Sequence, residues 1–134
     1  MSYSGFLVKV GDYAIPEKII RPESYKAGPN TLDLDSYRDA NGILHREALE
    51  HVPFKVEFET IAMLTNKTYP ELMANISRNF INAREQKFIG TVYVCELDDY
   101  ITQNMYMPDT LPTIYNIYDG VIRYNPVRIA FIGY

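Results

Sequence analysis

The clearest alternation in the chain is Phe54-Lys-Val-Glu-Phe-Glu-Thr60. Phe54, Val56 and Phe58 fall on one side and Lys55, Glu57 and Glu59 on the other. That two-residue period is the mark of a half-buried antiparallel strand. Pro53 stands just ahead, where a missing N–H is tolerated. Near the start, Phe6–Val10 and Tyr13–Ile15 flank Gly11-Asp12 and predict a short hairpin closed by Pro16. Pro22, Gly28, Pro29 and Asn30 give residues 22–31 the signature of a loop.

The next stretch is polar. Leu32 and Leu34 alternate with Asp33, Asp35 and Tyr37, then Asp39-Ala-Asn-Gly42 makes a turn before Ile43–Glu47. This predicts a long hairpin. Residues 44–51 have good helix propensity, so one or two helical turns are the alternative there.

A helix is equally well marked. Thr68 with Glu71 three residues later forms a capping box, and Pro70 sits in the first turn, where its absent N–H costs nothing. Tyr69, Leu72, Met73, Ile76, Phe80 and Ala83 then recur at helical spacing, with Glu71, Asn75, Arg78, Asn79 and Asn82 on the wet side. Such a helix covers a sheet. The remainder reads as strands: Phe88–Leu97, a turn at Asp98-Asp99-Tyr100, then Gln103–Met107. Thr113–Tyr118 and Val121–Asn125 flank the hairpin signal Asp119-Gly120. Pro126 marks an edge or bulge, and Val127–Ile132 follows with Val127, Ile129 and Phe131 on one face. The fold class expected is mainly β (α+β): an antiparallel β-sandwich or barrel with one amphipathic helix.

Length and composition narrow this further. The 134 residues suit a single domain spanning 1–134. With 47% hydrophobic and 22% charged residues the chain should fold rather than stay disordered. A net charge of -4 argues against a dedicated nucleic-acid binder, which needs a basic face. Twelve Tyr and no Trp fit half-wet strand positions and interfaces. The start lacks a basic and apolar leader, and no stretch reaches the roughly 20 apolar residues of a membrane span. A cytosolic site of synthesis is the expectation.

Candidate chemistry is thin. Asp33, Asp35, Asp39 and Asn41 are spaced like calcium ligands, but Arg38 or Ala40 stands where the loop needs Gly. Leu44 or Arg46 stands where it needs Glu. His45 and His51 are six apart, a spacing that brings them together on neither a strand nor a helix, so a metal enzyme built on them ranks last. Cys95, the lone cysteine, is expected to be a buried, inert thiol within its strand. Glu96, Asp98 and Asp99 are adjacent turn carboxylates without the specificity of a glycosidase pair. There is no glycine-rich phosphate loop. Neither catalysis nor a cofactor is expected.

Three segments carry a family resemblance: Gly5-Phe-Leu-Val-Lys-Val-Gly-Asp-Tyr13, Leu32-Asp-Leu-Asp-Ser-Tyr-Arg-Asp-Ala-Asn-Gly42 and Tyr124-Asn-Pro-Val-Arg-Ile-Ala-Phe-Ile132. Through them the chain resembles a family of small proteins encoded among the tail genes of prophages of Gram-positive bacteria. The order of elements is also similar to the tail-tube fold. The resemblance implies a structural component of a bacteriophage tail or baseplate, located in the virion and assembled in the host cytoplasm. Its partners would be copies of itself in a ring, six in such proteins, and other tail proteins. DNA would pass through the lumen without specific binding. Residues 30–50 would be a protruding hairpin, with Asp33, Asp35, Tyr37, Arg38, Asp39, His45 and Arg46 as subunit contacts. The alternative is a monomeric binding module that recognises a host-surface saccharide or protein through its Tyr residues.

Overall fold

The computed structural model of the chain describes residues 3–29, 33–48 and 53–134, the side chains of 33–37 and 45–48 excepted. Among the described residues the strands are β1 (Val8–Val10), β2 (Tyr13–Ala14), β3 (Lys26–Pro29), β4 (Asp33–Arg38), β5 (Leu44–Ala48), β6 (Phe54–Glu59), β7 (Leu64–Thr65), β8 (Lys87–Val94), β9 (Asp99–Tyr106), β10 (Ile114–Tyr118), β11 (Val121–Tyr124) and β12 (Arg128–Gly133). One α-helix, α1 (Thr68–Ser77), lies between β7 and β8.

A seven-stranded sheet, ordered β2-β1-β8-β9-β12-β6-β3, forms the body of the molecule. All of its pairings are antiparallel. A three-stranded sheet follows the order β10-β11-β7, and β4 and β5 pair with each other. The inner face of the large sheet carries Val8, Val10, Val56, Phe58, Phe88, Val92, Met105, Ile129 and Phe131, all buried, and the helix adds Tyr69, Leu72 and Ile76 to the same core. Phe131 sits at its centre, edge-on to Phe88 at 5.0 Å and to Phe58 at 6.1 Å between centroids. The fold is thus mainly β, antiparallel and sandwich-like with one amphipathic helix, the class expected from the sequence.

The strongest local signals hold. Asp119 and Gly120 both take left-handed backbone, φ 53° and 74°, as a two-residue hairpin matched to strand twist requires. The β6 alternation buries Val56 and Phe58 and leaves its charges half-exposed. Thr60, just beyond, is fully buried and saturated: its hydroxyl accepts the Val127 N–H at 2.9 Å, and its own N–H reaches the Val127 carbonyl.

Several expectations need correction. Residues 22–31 are not a loop throughout: a 3-10 turn at Pro22–Ser24 leads into β3, which pairs with β6 from Lys26↔Glu57 to Pro29↔Phe54. Pro29 falls in an edge strand, where its lack of an N–H is harmless. Leu44–Ala48 follows the hairpin reading and not the helical alternative, because the register from Arg38↔Leu44 to Asp33↔Ala48 holds it against β4. Asn30, Leu32, Glu50 and His51 lie outside the described residues.

The capping box is replaced. Thr68 is already helical, and the Thr65 hydroxyl accepts the N–H groups of Thr68 at 3.3 Å and Lys67 at 3.4 Å. At the other end the helix stops at Ser77, short of Phe80 and Ala83. The Asn79 side chain gives its amide to the Asn75 carbonyl and accepts the Asp12 N–H, a competition with helix hydrogen bonds that short polar side chains favour. A Cβ at Gly11 would stand 2.8 Å from that Asn79 oxygen, so the β1–β2 turn and the helix end fit only with glycine there.

Strand β8 ends at Val94, not Leu97. Asp99, the first residue of β9, pairs directly with Val94, leaving residues 95–98 as the turn, closed by Asp98 at φ 48°. Asp99 and Tyr100 are therefore strand. Cys95 sits in that turn and is exposed, not buried.

Candidate assembly surfaces

Sheet edges are where a β protein meets another chain, because their unpaired N–H and C=O groups invite a further strand. The edges of this fold differ sharply. The seven-stranded sheet ends at β2, two residues long, and at β3, whose sequence is Lys-Ala-Gly-Pro. Shortness, Lys and Pro are the usual ways of blunting an edge. The small sheet ends at β7, again two residues, and at β10.

Strand β10 is Ile-Tyr-Asn-Ile-Tyr, with no charge, Pro or Gly, and every residue in it is exposed. Ile114, Tyr115, Ile117 and Tyr118 lie between 51% and 72% exposed, and Leu111 just upstream is 92% exposed. Its inner edge pairs with β11, with a register shift between Ile114 and Asn116. Among the described residues no strand pairs with its outer edge, and the side chains on both faces are exposed. Beside its base, Met73, Phe80, Met107, Pro108 and Leu111 help to line an open groove of about 490 Å³.

The hairpin expected to make subunit contacts is present as the isolated β4–β5 ribbon. Two of the residues assigned to contact also build its turn. Asp39 accepts the N–H groups of Asn41 at 2.9 Å and Ile43 at 3.0 Å, the local turn-making bond typical of Asp. Arg38 donates to the Gly42 carbonyl at 2.9 Å. The tip also exposes Ile43 and Leu44, which sequence reasoning did not single out. For Asp33, Asp35, Tyr37, His45 and Arg46 the structure gives backbone register alone.

A charged strip crosses the outer face of β3, β6 and β12. One oxygen of Glu57 is shared by Lys55 and Arg128, each at 2.7 Å. The Lys55 ammonium hydrogen-bonded to it, helped by Arg128, holds the Glu57 carboxyl below the usual carboxylate range. Lys26, the register partner of Glu57, is exposed and has no ion pair among the described residues. A shallow cleft of about 430 Å³ opens between Lys26, Lys55 and Pro29.

The tyrosines near the other end brace one another. Tyr93 lies edge-on to Tyr3 and Tyr100, and Phe6 stacks on Tyr100 at 4.6 Å. Their hydroxyls are engaged: Tyr100 with the Phe6 carbonyl, Tyr93 with Asp98 at 2.6 Å. The hydrogen bond to Asp98 pushes the Tyr93 hydroxyl up to about 12, and Glu17 does the same for Tyr3. Among the described residues no group of three or more His, Cys, Asp and Glu is placed to hold a metal ion. Among the described residues no helix is long and apolar enough to cross a membrane.

A family model described as a family of unknown function (DUF6711) matches residues 1–134. The chain belongs to that family. No curated protein matches it. Among solved structures it is similar to a chain described as "Tail of empty GTA particle computed with helical refinement, C6 symmetry". The identity is 13% over 99% of this chain and 95% of that one, with a TM-score of 0.48.

Proposed function

We propose that this protein is a structural component of a phage tail or baseplate that assembles with copies of itself, using β10 as its pairing edge. The observation that carries the reading is the contrast among edges: β10 alone among the described edges of the two larger sheets is long, uncharged and apolar. A soluble chain rarely leaves such a strand open unless another chain completes it. Strand addition supplies main-chain hydrogen bonds along the edge, and the flanking Ile and Tyr supply apolar area on both faces. The tail setting comes from the sequence resemblance through residues 5–13, 32–42 and 124–132. In this reading the protein acts by geometry and needs no catalytic group.

The test is sedimentation velocity over a concentration series. The wild-type chain should form a discrete oligomer, and Ile117→Lys/Tyr118→Lys should remain a folded monomer. A wild-type chain that stays monomeric throughout overturns the reading.

A further inference from the structure

Strand β10 reads Ile114-Tyr-Asn-Ile-Tyr118, a sequence that matches itself when reversed. Laid antiparallel on a second copy with Asn116 at the centre, Ile114 meets Tyr118 and Tyr115 meets Ile117. Each of these pairs sets an aromatic ring against a β-branched chain, a favourable cross-strand combination. Asn116 meets its own counterpart, and an amide carries both donors and an acceptor, so two of them satisfy each other. A slip of one residue either way sets Asn116 against Tyr115 or Ile117 and leaves an end of the strand over. The strand carries no charge, so two copies meet without the repulsion that like charges directly opposite would bring.

The other described edges of a second copy match β10 poorly. Strands β2 and β7 have two residues each. Strand β3 ends in Pro29, which has no N–H to give. Strands β4 (Asp-Leu-Asp-Ser-Tyr-Arg) and β5 (Leu-His-Arg-Glu-Ala) would set charges against Ile and Tyr. The register with β11 adds an independent reason. It places Ile114 opposite Tyr124 and Ile117 opposite Ile122, and Tyr124 in turn lies opposite Leu64. These residues share one face of the small sheet, because opposed residues point the same way and every second residue of a strand does too. At Leu64 and Tyr124 that face packs on the core. At Ile114 and Ile117 it runs past the core and is exposed, so a strand added beyond β10 continues an apolar layer that the monomer leaves unfinished.

We propose that β10 pairs antiparallel with β10 of a second copy about a two-fold axis at Asn116, joining two three-stranded sheets into one continuous sheet. The inference rests on the self-assembly reading and names the partner strand and its register. Such a contact is isologous: it uses the same patch on both copies and closes on itself. Larger assemblies then grow from a two-copy unit through surfaces other than β10.

The experiment is a cysteine scan of the full-length chain under mild oxidation, in a Cys95→Ser background because Cys95 is exposed. Directly opposed residues have Cα atoms about 4.5–5.5 Å apart, within reach of a disulfide. Ile114 and its counterpart would instead be displaced along the strands by roughly 14 Å. Asn116→Cys should therefore cross-link to itself at least about tenfold faster than Ile114→Cys or Tyr118→Cys alone. An equimolar mixture of Ile114→Cys and Tyr118→Cys should cross-link to within about threefold of the Asn116→Cys rate. Equal self-linking at all three positions means parallel pairing and overturns the inference. Self-linking centred on Tyr115→Cys or Ile117→Cys overturns the register. An oligomer whose β10 amides are protected from exchange, with no cross-link at position 116, overturns the two-fold while leaving the β10 reading intact. A wild-type chain that stays monomeric at every concentration removes both.

Discussion

Strands β10 and β12 look alike as sequence and have opposite fates. Ile-Tyr-Asn-Ile-Tyr and Arg-Ile-Ala-Phe-Ile-Gly are both apolar, short and rich in good strand formers. In the fold, β12 lies between β9 and β6 and buries Ile129, Ala130 and Phe131, whereas β10 stands at an edge with all five residues exposed. The local pattern says that a strand wants apolar surroundings; what supplies them is decided elsewhere in the chain. For β12 the supplier is the rest of the same molecule. For β10 the proposed supplier is another copy.

Substitutions should separate the two. Phe131→Ala removes the ring at the centre of the core and should cost about 3–5 kcal/mol in denaturant-unfolding stability, enough to threaten folding. Thr60→Val, next to β12, leaves the buried Val127 N–H without its 2.9 Å acceptor and should cost about 1–3 kcal/mol.

Tyr25→Phe should cost about 1 kcal/mol, because the Tyr25 hydroxyl donates to the Tyr93 carbonyl at 2.6 Å and ties the residue just ahead of β3 to β8. Burial pushes that hydroxyl well above the ordinary tyrosine range. Its folded-state value is therefore raised, so its stabilisation is complete below about pH 10 and is lost as pH rises through the folded value. Wild type should lose stability above pH 10 more steeply than the Phe variant in urea titrations at stepped pH.

Ile117→Lys/Tyr118→Lys on β10 should change monomer stability by no more than about 0.5 kcal/mol while abolishing association. A large loss of monomer stability would place β10 with β12 as part of the core and erase the distinction.

The parts of the fold that were legible are those fixed by neighbouring residues. Asp119-Gly120 needs two left-handed positions in sequence, and β6 needs only its own alternation. The parts that were not legible depend on distant partners. Strand β3 hides in a Pro- and Gly-rich stretch because β6 supplies its pairing. The helix ends where Asn79 meets the β1–β2 turn, a contact 67 residues away in sequence. Cys95 falls outside its strand because β9 begins opposite Val94. The candidate site followed the same rule. The β4–β5 ribbon was readable, and so was the Asp39-Ala-Asn-Gly42 turn, but not that Arg38 and Asp39 would tie it together. Strand β10 was read as an ordinary strand, since nothing local marks it as the outermost one. Its apolar residues at both odd and even positions, in a strand flanked by Pro112 and Asp119-Gly120, were the available signal.

The central claim is that β10 is completed by another copy of the chain. Hydrogen–deuterium exchange of the β10 amides at low and high protein concentration tests it most directly. The account predicts that the outer-edge amides of Ile114–Tyr118 exchange freely in the dilute monomer and become protected as the oligomer forms, while those in β12 stay protected throughout. Oligomer formation with β10 exchange unchanged would contradict it.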